Sequence, residues 1–365
     1  MKKVLFISPS LVGAGAERVL CNILNNLDRS RFDITLLLVL KADNKFLDIL
    51  AKDIKVIDLA STKSLKENAF KVLNVVRKLK PDSVFVANGH LGLILSPFLI
   101  FFRKYKWVVR ETNYVSMNVE GFYSKLFYRL FYNNYEYIIS QCQDMADDLI
   151  ENFNIHKEKI VIINNPVDLN VIESEVNAVG DADKTLYPSD KINILACGRL
   201  TYQKGFDLLI KEFSVLDNRE RFYLTIIGDG EGDRRDVSGQ LIKLIDELNL
   251  RDSVRIIGFK KDIYLWMKSA DLFVLSSRFE GFSNVLLEAI YCGLPVLVNK
   301  CPGGVSEVVD DARVGSIFEF SSGGFGKALS EIDINSDPDK EIFRKKYISS
   351  KYGVSVIVSK IEKIL

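Results

Sequence analysis

The side chains best suited to chemistry in this sequence are a pair of carboxylates, Glu280 and Glu288, and a pair of cations, Arg199 and Lys204. The carboxylates bracket the run Glu280-Gly281-Phe282-Ser283-Asn284-Val285-Leu286-Leu287-Glu288. An apolar stretch ends near Leu275 before it, and helical spacing runs through Leu286, Glu288 and Ala289. The segment therefore reads as strand, glycine turn and helix. A helix N-terminus offers free N–H groups and a positive dipole end, which suit phosphate. Two carboxylates beside it would repel a bare phosphate but would accept hydrogen bonds from sugar hydroxyls. Eight residues is about two helical turns, a spacing that suits two parts of one elongated ligand such as a nucleotide sugar. The alternative is a pair of ordinary solvated acids, against which Gly281 and the apolar surroundings weigh.

Arg199 and Lys204 lie in Cys197-Gly198-Arg199-Leu200-Thr201-Tyr202-Gln203-Lys204-Gly205, between a strand ending at Gly198 and a helix beginning near Gly205. In a loop both could be solvated surface. At the carboxyl end of a strand they would instead clamp a diphosphate, the guanidinium as a planar fork and the ammonium as a point charge. Gly13-Ala14-Gly15-Ala16-Glu17-Arg18 lacks full G-x-G-x-x-G spacing and reads equally as a tight turn. Ile227-Gly228-Asp229-Gly230-Glu231-Gly232-Asp233 is too acidic for direct anion contact and reads as a structural turn. Cys301-Pro302-Gly303-Gly304-Val305 opens a further turn before a helix.

The elements that must position these residues alternate. Short apolar runs at Val4–Ser8, Ile34–Leu40, Ser83–Ala87, Trp107–Val109, Tyr137–Ile139 and Ile160–Ile163 predict strands, with helices over Ala16–Leu27 and Lys66–Leu79. The pattern restarts at Ile192–Cys197, Tyr223–Gly228, Val254–Gly258, Leu272–Leu275 and Pro295–Asn299. Continuous apolar strands separated by helices indicate parallel sheets covered on both faces, hence two doubly wound α/β domains. We expect an N-terminal domain over 1–168, an irregular polar linker over 169–190, a C-terminal domain over 191–345 and a helical tail over 346–365. Val354–Leu365 has amphipathic spacing and could pack on either domain.

The length of 365 residues suits two domains with cores of their own. A hydrophobic content of 48% with 27% charged residues excludes a disordered chain. The net charge of +1 argues against a dedicated nucleic-acid binder. That total conceals an asymmetry, because residues 1–143 carry 21 Lys+Arg and 12 Asp+Glu, a net of +9. Five cysteines without C-x-x-C spacing and two histidines indicate neither a disulfide framework nor a His-based metal centre. The apolar stretch Leu91 to Phe102 is about half the length of a membrane span. A cytoplasmic protein is therefore expected.

Together these residues resemble the retaining GT-B glycosyltransferases of family 4. Glu280 to Glu288 resembles that family's signature of two glutamates separated by seven residues. Gly198-Arg199-Leu200 with Gln203-Lys204-Gly205 resembles its diphosphate loop. Ala14-Gly15-Ala16-Glu17-Arg18 resembles its G-G-A-E-R turn, with Ala14 in place of the first glycine, and Asn165-Pro166-Val167-Asp168 resembles the segment before its linker. The resemblance spans nearly the whole chain in the right order. It implies two facing Rossmann-like domains with an interdomain cleft, the donor mainly on the C-terminal one and the acceptor on the N-terminal one.

By this resemblance Arg199 and Lys204 hold the donor diphosphate, Glu280 the sugar and Glu288 the ribose. Backbone N–H groups of Phe282, Ser283 and Asn284, followed by Val285, line sugar and phosphate. Gly198 belongs to the diphosphate loop, Gly258 and Phe259 border the nucleobase, and Gly15 allows close backbone approach to the donor. The family's frequent N-domain histidine is missing. Its segment here is Arg110-Glu111-Thr112-Asn113, similar to the S-E-R-N type of bacterial polysaccharide transferases with the order altered. Glu111, Asn113 and His90 are the acceptor-side candidates.

The implied reaction is metal-independent, retaining transfer from a UDP-linked hexose or N-acetylhexosamine to a lipid-linked or oligosaccharide acceptor. A non-catalytic nucleotide-sugar-binding subunit and a nucleotide-sugar epimerase are the alternatives. Only a transferase would release nucleotide diphosphate solely when acceptor is present. Aromatic and basic residues interleave from Phe122 to Tyr132. They read either as an interfacial helix on an anionic membrane or as core aromatics with snorkelling cations. The first reading places the protein peripherally on the inner face of the plasma membrane.

Overall fold

The computed structural model describes residues 1–13, 15–119, 121–179, 184–230, 233, 235–320, 323–335 and 337–365. Its strands are β1 (Lys2–Ser8), β2 (Phe32–Leu40), β3 (Lys55–Ser61), β4 (Ser83–Val86), β5 (Lys106–Arg110), β6 (Tyr137–Ser140) and β7 (Ile160–Ile162). The second series is β8 (Ile192–Cys197), β9 (Phe222–Ile227), β10 (Val254–Ile257), β11 (Leu272–Leu275), β12 (Val296–Asn299) and β13 (Gly315–Phe318). They form two sheets, ordered β3-β2-β1-β4-β5-β6-β7 and β10-β9-β8-β11-β12-β13. Every strand pairing is parallel. In each sheet the order reverses once, between β1 and β4 and between β8 and β11. Such reversals open a crevice at the carboxyl ends of the strands, where doubly wound proteins bind ligands.

Two strands lie outside the apolar runs noted above. β3 and β13 are edge strands and are partly exposed, with Val56 at 41% and Ile317 at 37%. The segment expected as a linker is also different. It carries the helix Leu169–Val179, which buries Ile172 and packs on the helix Ile263–Ser269. The chain divides into one unit of Met1–Val167 with Tyr352–Leu365 and a second of Asp168–Lys351. Residues 346–365 are therefore not a separate tail. The helix Pro338–Tyr352 belongs almost wholly to the second unit, and the helix Val354–Ile364 completes the first.

That last helix buries Ile357, Val358, Ile361 and Ile364 in the same core as Val4, Phe6 and Val108 of the sheet and Val19, Leu20 and Ile23 of the helix Gly15–Asn26. Polar contacts hold its end. Glu362 accepts the Asp28 N–H at 2.9 Å and pairs with Arg31 at 2.7 Å. The Ser83 hydroxyl donates to the Leu365 carbonyl at 2.5 Å.

The opposite face of the first sheet buries a carboxyl. Glu111 is 3% exposed and accepts hydrogen bonds from the Tyr128 hydroxyl at 3.3 Å and from the Tyr132 hydroxyl. Gly89 makes room for it, since a Cβ there would sit 2.0 Å from Glu111 Oε2. Burial pushes the Glu111 pKa up to about 7, against the pull of the two tyrosine hydroxyls.

Ile361→Ala should cost about 2–5 kcal/mol of unfolding free energy by urea titration, and exposed Lys363→Ala under about 0.5. Because the Glu111 pKa is raised on folding, the stability it contributes is complete below the unfolded value and is lost as pH rises through about 7. Between about pH 5 and 7.5 the Tm of the wild type should therefore fall relative to Glu111→Gln. Parallel Tm curves for the two proteins would contradict the buried placement.

Candidate active site

The loops after β8 and β11 meet at the order reversal of the second sheet, and backbone packing sets how closely. Gly205 has φ +63°, and a Cβ there would lie 2.1 Å from the Ser276 carbonyl oxygen. A Cβ on Gly303, φ +122°, would lie 2.1 Å from the Glu280 carbonyl oxygen. Neither position has space for any side chain. Hydrogen bonds zip the loops together. The Arg278 N–H donates to the Gln203 carbonyl at 2.8 Å, Gln203 Nε2 to the Phe279 carbonyl at 3.0 Å and Ser276 Oγ to the Lys204 carbonyl at 2.7 Å. The Glu280 N–H donates to the Pro302 carbonyl at 2.9 Å, which ties in the turn after β12.

This framework brings together two of the four candidate charged residues, Lys204 and Glu280. Lys204 Nζ lies 2.6 Å from Glu280 Oε1, with the side chains 15% and 7% exposed. Ser277 Oγ donates to the same Glu280 oxygen at 2.5 Å. Glu280 is not on the helix, which spans Asn284–Tyr291; it sits in the turn before it, so its distance from Glu288 is not a helical repeat. Glu288 lies on that helix, half-buried, close enough to Cys197 at the end of β8 to add to the rise in that thiol's pKa, which burial dominates. Arg199 is exposed and pairs with Asp233 at 3.2 Å. Asp233 belongs to the acidic turn read as structural, and it also binds Arg235. Glu231 and Gly232 of that turn lie outside the described residues.

The remaining candidates distribute as follows. Phe282 and Ser283 are buried, and Asn284 and Val285 are half-buried at the start of the helix. Ser283 Oγ is buried without a hydrogen-bond partner among the described residues. Gly198 lies against the Lys204 side chain. Gly258 and Phe259 are exposed just beyond β10, Phe259 at 68%. In the first unit, Gly15 opens the helix Gly15–Asn26, and Glu17 accepts the Gly13 N–H at 2.7 Å to close the turn. Ala14 lies outside the described residues. His90 and Asn113 are exposed, whereas Glu111 is committed to Tyr128 and Tyr132 in the core.

Reading the sequence missed Arg278. Its guanidinium meets Asp207 through two hydrogen bonds of 2.7 Å and lies 4.0 Å over the Tyr202 ring, clamping both loops. Arg278 and Asp207 are 71 residues apart, so no local spacing could signal the pair. Among the described residues no group of three or more His, Cys, Asp or Glu is placed to hold a metal ion.

The aromatic stretch divides between its two readings. In the helix Phe122–Phe131 and the turn after it, Tyr128 and Tyr132 enter the core. Phe122, Tyr123, Phe127 and Leu130 are exposed at 74%, 77%, 41% and 59%. The run Leu91 to Phe102 breaks into the helix Gly89–Leu95 and a 3-10 helix Ser96–Phe102, with Phe101 79% exposed. Among the described residues no helix is long and apolar enough to cross a membrane.

Comparison with known proteins agrees with this architecture. Residues 181–342 match the family model "Glycosyl transferases group 1", and residues 13–171 match "Glycosyltransferase Family 4". An N-acetylgalactosamine-N,N'-diacetylbacillosaminyl-diphospho-undecaprenol 4-alpha-N-acetylgalactosaminyltransferase of Campylobacter jejuni is 28% identical over 333 residues, 87% of this chain and 86% of that protein. An uncharacterized glycosyltransferase of Methanocaldococcus jannaschii is 28% identical over 67% of this chain and 61% of its own length. Among solved structures, Anabaena HepE in complex with UDP-glucose superposes with a TM-score of 0.78 at 21% identity, over 100% of this chain and 99% of that one. With two parallel-sheet α/β units and both family models matched in order, the chain belongs to the GT-B glycosyltransferases of family 4.

Proposed function

We propose that this glycosyltransferase moves a hexosyl or N-acetylhexosaminyl group, with retention at the anomeric carbon, from a UDP-linked donor to a lipid-linked glycan in bacterial surface polysaccharide assembly. The observation that carries the reading is the largely buried Lys204–Glu280 pair at the order reversal of the second sheet. A cation held there by a carboxylate is ready to be shared with an arriving diphosphate. Ser283 Oγ, buried and unpartnered among the described residues, is a hydroxyl that a ligand would satisfy.

In this reading the acceptor oxygen bonds to the anomeric carbon from the face that the diphosphate leaves. The carbon–oxygen bond to phosphate breaks, and the acceptor's proton passes to the leaving phosphate oxygen. The protein acts by positioning and by neutralising the developing charge. Lys204 supplies that charge from within the loop, and Arg199 exchanges Asp233 for the diphosphate. Glu280 orients the sugar, Glu288 accepts from the ribose hydroxyls, and Phe259 borders the nucleobase. Because Lys204 and Arg199 do the neutralising, no metal is required. A lipid-linked acceptor is supported by the Campylobacter relative, whose name specifies a diphospho-undecaprenol substrate. UDP-sugars head the donor panel because UDP-glucose occupies HepE, a likeness of fold.

The exposed aromatic residues of the helix Phe122–Phe131, together with Lys125, support membrane docking of the first unit. That unit carries 25 Lys+Arg against 18 Asp+Glu, which favours an anionic surface.

A donor panel read by nucleotide diphosphate release, with crude lipid-linked acceptor and EDTA present, should give acceptor-dependent UDP release. Arg199→Ala and Lys204→Ala should each lower turnover by about 10²-fold or more. Near-normal rates in both variants would overturn the assignment. In flotation assays the protein should rise with vesicles containing anionic lipid, and Phe122→Ser/Phe127→Ser should stay at the bottom. Equal flotation with purely zwitterionic vesicles would refute electrostatic docking.

A further inference from the structure

The face of the first sheet that packs on the helices Gly15–Asn26 and Val354–Ile364 ends in buried polar residues. Two positions beyond the core residues Phe6, Val108 and Ile163 come Ser8, Arg110 and Asn165. The two-residue repeat of a strand carries β1 and β5 forward on that same face. All three polar residues are buried, with Arg110 only 3% exposed.

Among the described residues Arg110 is a charge without a counter-ion. Its Nη2 donates to Asn165 Oδ1 at 2.6 Å, while Nη1 is buried with no hydrogen-bond partner among the described residues. Burial pulls its pKa down to about 10, and no carboxylate among the described residues offsets that pull. Glu111, next in sequence, faces the other side of the sheet, where Tyr128 and Tyr132 hold it. The buried Arg344 of the second unit shows what a structural arginine has instead. Its guanidinium donates to the carbonyls of Arg313 at 2.9 Å and Gly293 at 2.8 Å, and Glu341, Asp337 and Asp333 oppose the effect of burial. A guanidinium taken out of water needs either such acceptors or an anion.

We propose that Arg110, oriented by Asn165, is the receptor for a phosphate or diphosphate group at the carboxyl edge of the first sheet. Nη1 donates to an oxygen of that group in a charge-assisted hydrogen bond. The source of the anion rests on the transferase reading: it is a phosphate carried by the acceptor, so this edge selects phosphorylated acceptors over neutral saccharides.

The test is calorimetric titration of the full chain with inorganic pyrophosphate, in saturating UDP to occupy the diphosphate site of the second unit. Wild type should bind, and Arg110→Met should bind at least about tenfold more weakly. Its Tm should be unchanged or raised, since an unpaired buried charge has gone. Absence of binding by wild type, or equal binding by Arg110→Met, overturns the proposal. If Arg110→Met does not fold, Asn165→Asp decides, because it supplies an internal carboxylate: lost binding in a folded variant supports the site, and retained binding overturns it. Displacement of pyrophosphate by farnesyl diphosphate but not farnesol names a lipid carrier as the source, and displacement by glucose 6-phosphate alone names a soluble one; either keeps the site. Binding is read without turnover, so failure here leaves acceptor-dependent UDP release standing, and failure of that release leaves the anion site standing.

Discussion

The candidate site of the second unit depends on how closely its strand-end loops approach one another. At Gly205 and Gly303 one backbone lies against another's carbonyl oxygen, at a distance that a single methyl group would fill. That approach lets Lys204, from the loop after β8, meet Glu280, from the loop after β11, across 76 residues of sequence. Arg278 locks the same two loops from the outside by holding Asp207 and Tyr202. The ion pair is therefore a product of backbone packing, and the hydrogen bonds between the loops keep its geometry.

The first unit places opposite charges on opposite faces of one strand end. Glu111 turns toward the aromatic helix, where burial favours its neutral form and two tyrosine hydroxyls satisfy it. Arg110 turns toward the other core and, among the described residues, donates to Asn165. Adjacent in sequence and separated by the pleat, they do not pair with each other, and Arg110 Nη1 has no hydrogen-bond partner among the described residues. The same helix that closes over Glu111 presents its phenylalanines outward. One run of aromatic residues therefore builds the core and presents an exposed aromatic surface.

Much of this was legible in sequence order. The central strands are continuous apolar runs because both their faces are covered, and their alternation with helices specifies parallel, doubly wound sheets. Edge strands β3 and β13 are not apolar runs: β3 is largely exposed and interrupted by Asp58, and β13 is only four residues long and begins Gly-Ser. The helix Leu169–Val179 carries no clear apolar period in the sequence, and of its described side chains Ile172 is the buried hydrophobic one. The glycine turns and the Glu280/Glu288 run pointed to the site because small residues and helix starts are local features. Arg278 and Arg110 did not stand out, since an arginine in a loop or at a strand end looks like any solvated cation until its burial and partners are known.

The sequence by itself therefore determined the fold class, the order of the elements and the residue types at the strand ends, because periodicity and turn chemistry are encoded within a few residues. Only the tertiary structure decided which charges meet. Lys204 with Glu280, Arg199 with Asp233, Glu111 with two tyrosines and Arg110 with Asn165 are outcomes of long-range packing. Electrostatic partnership depends on distances of a few ångströms and on burial, and neither is set until the sheets have assembled.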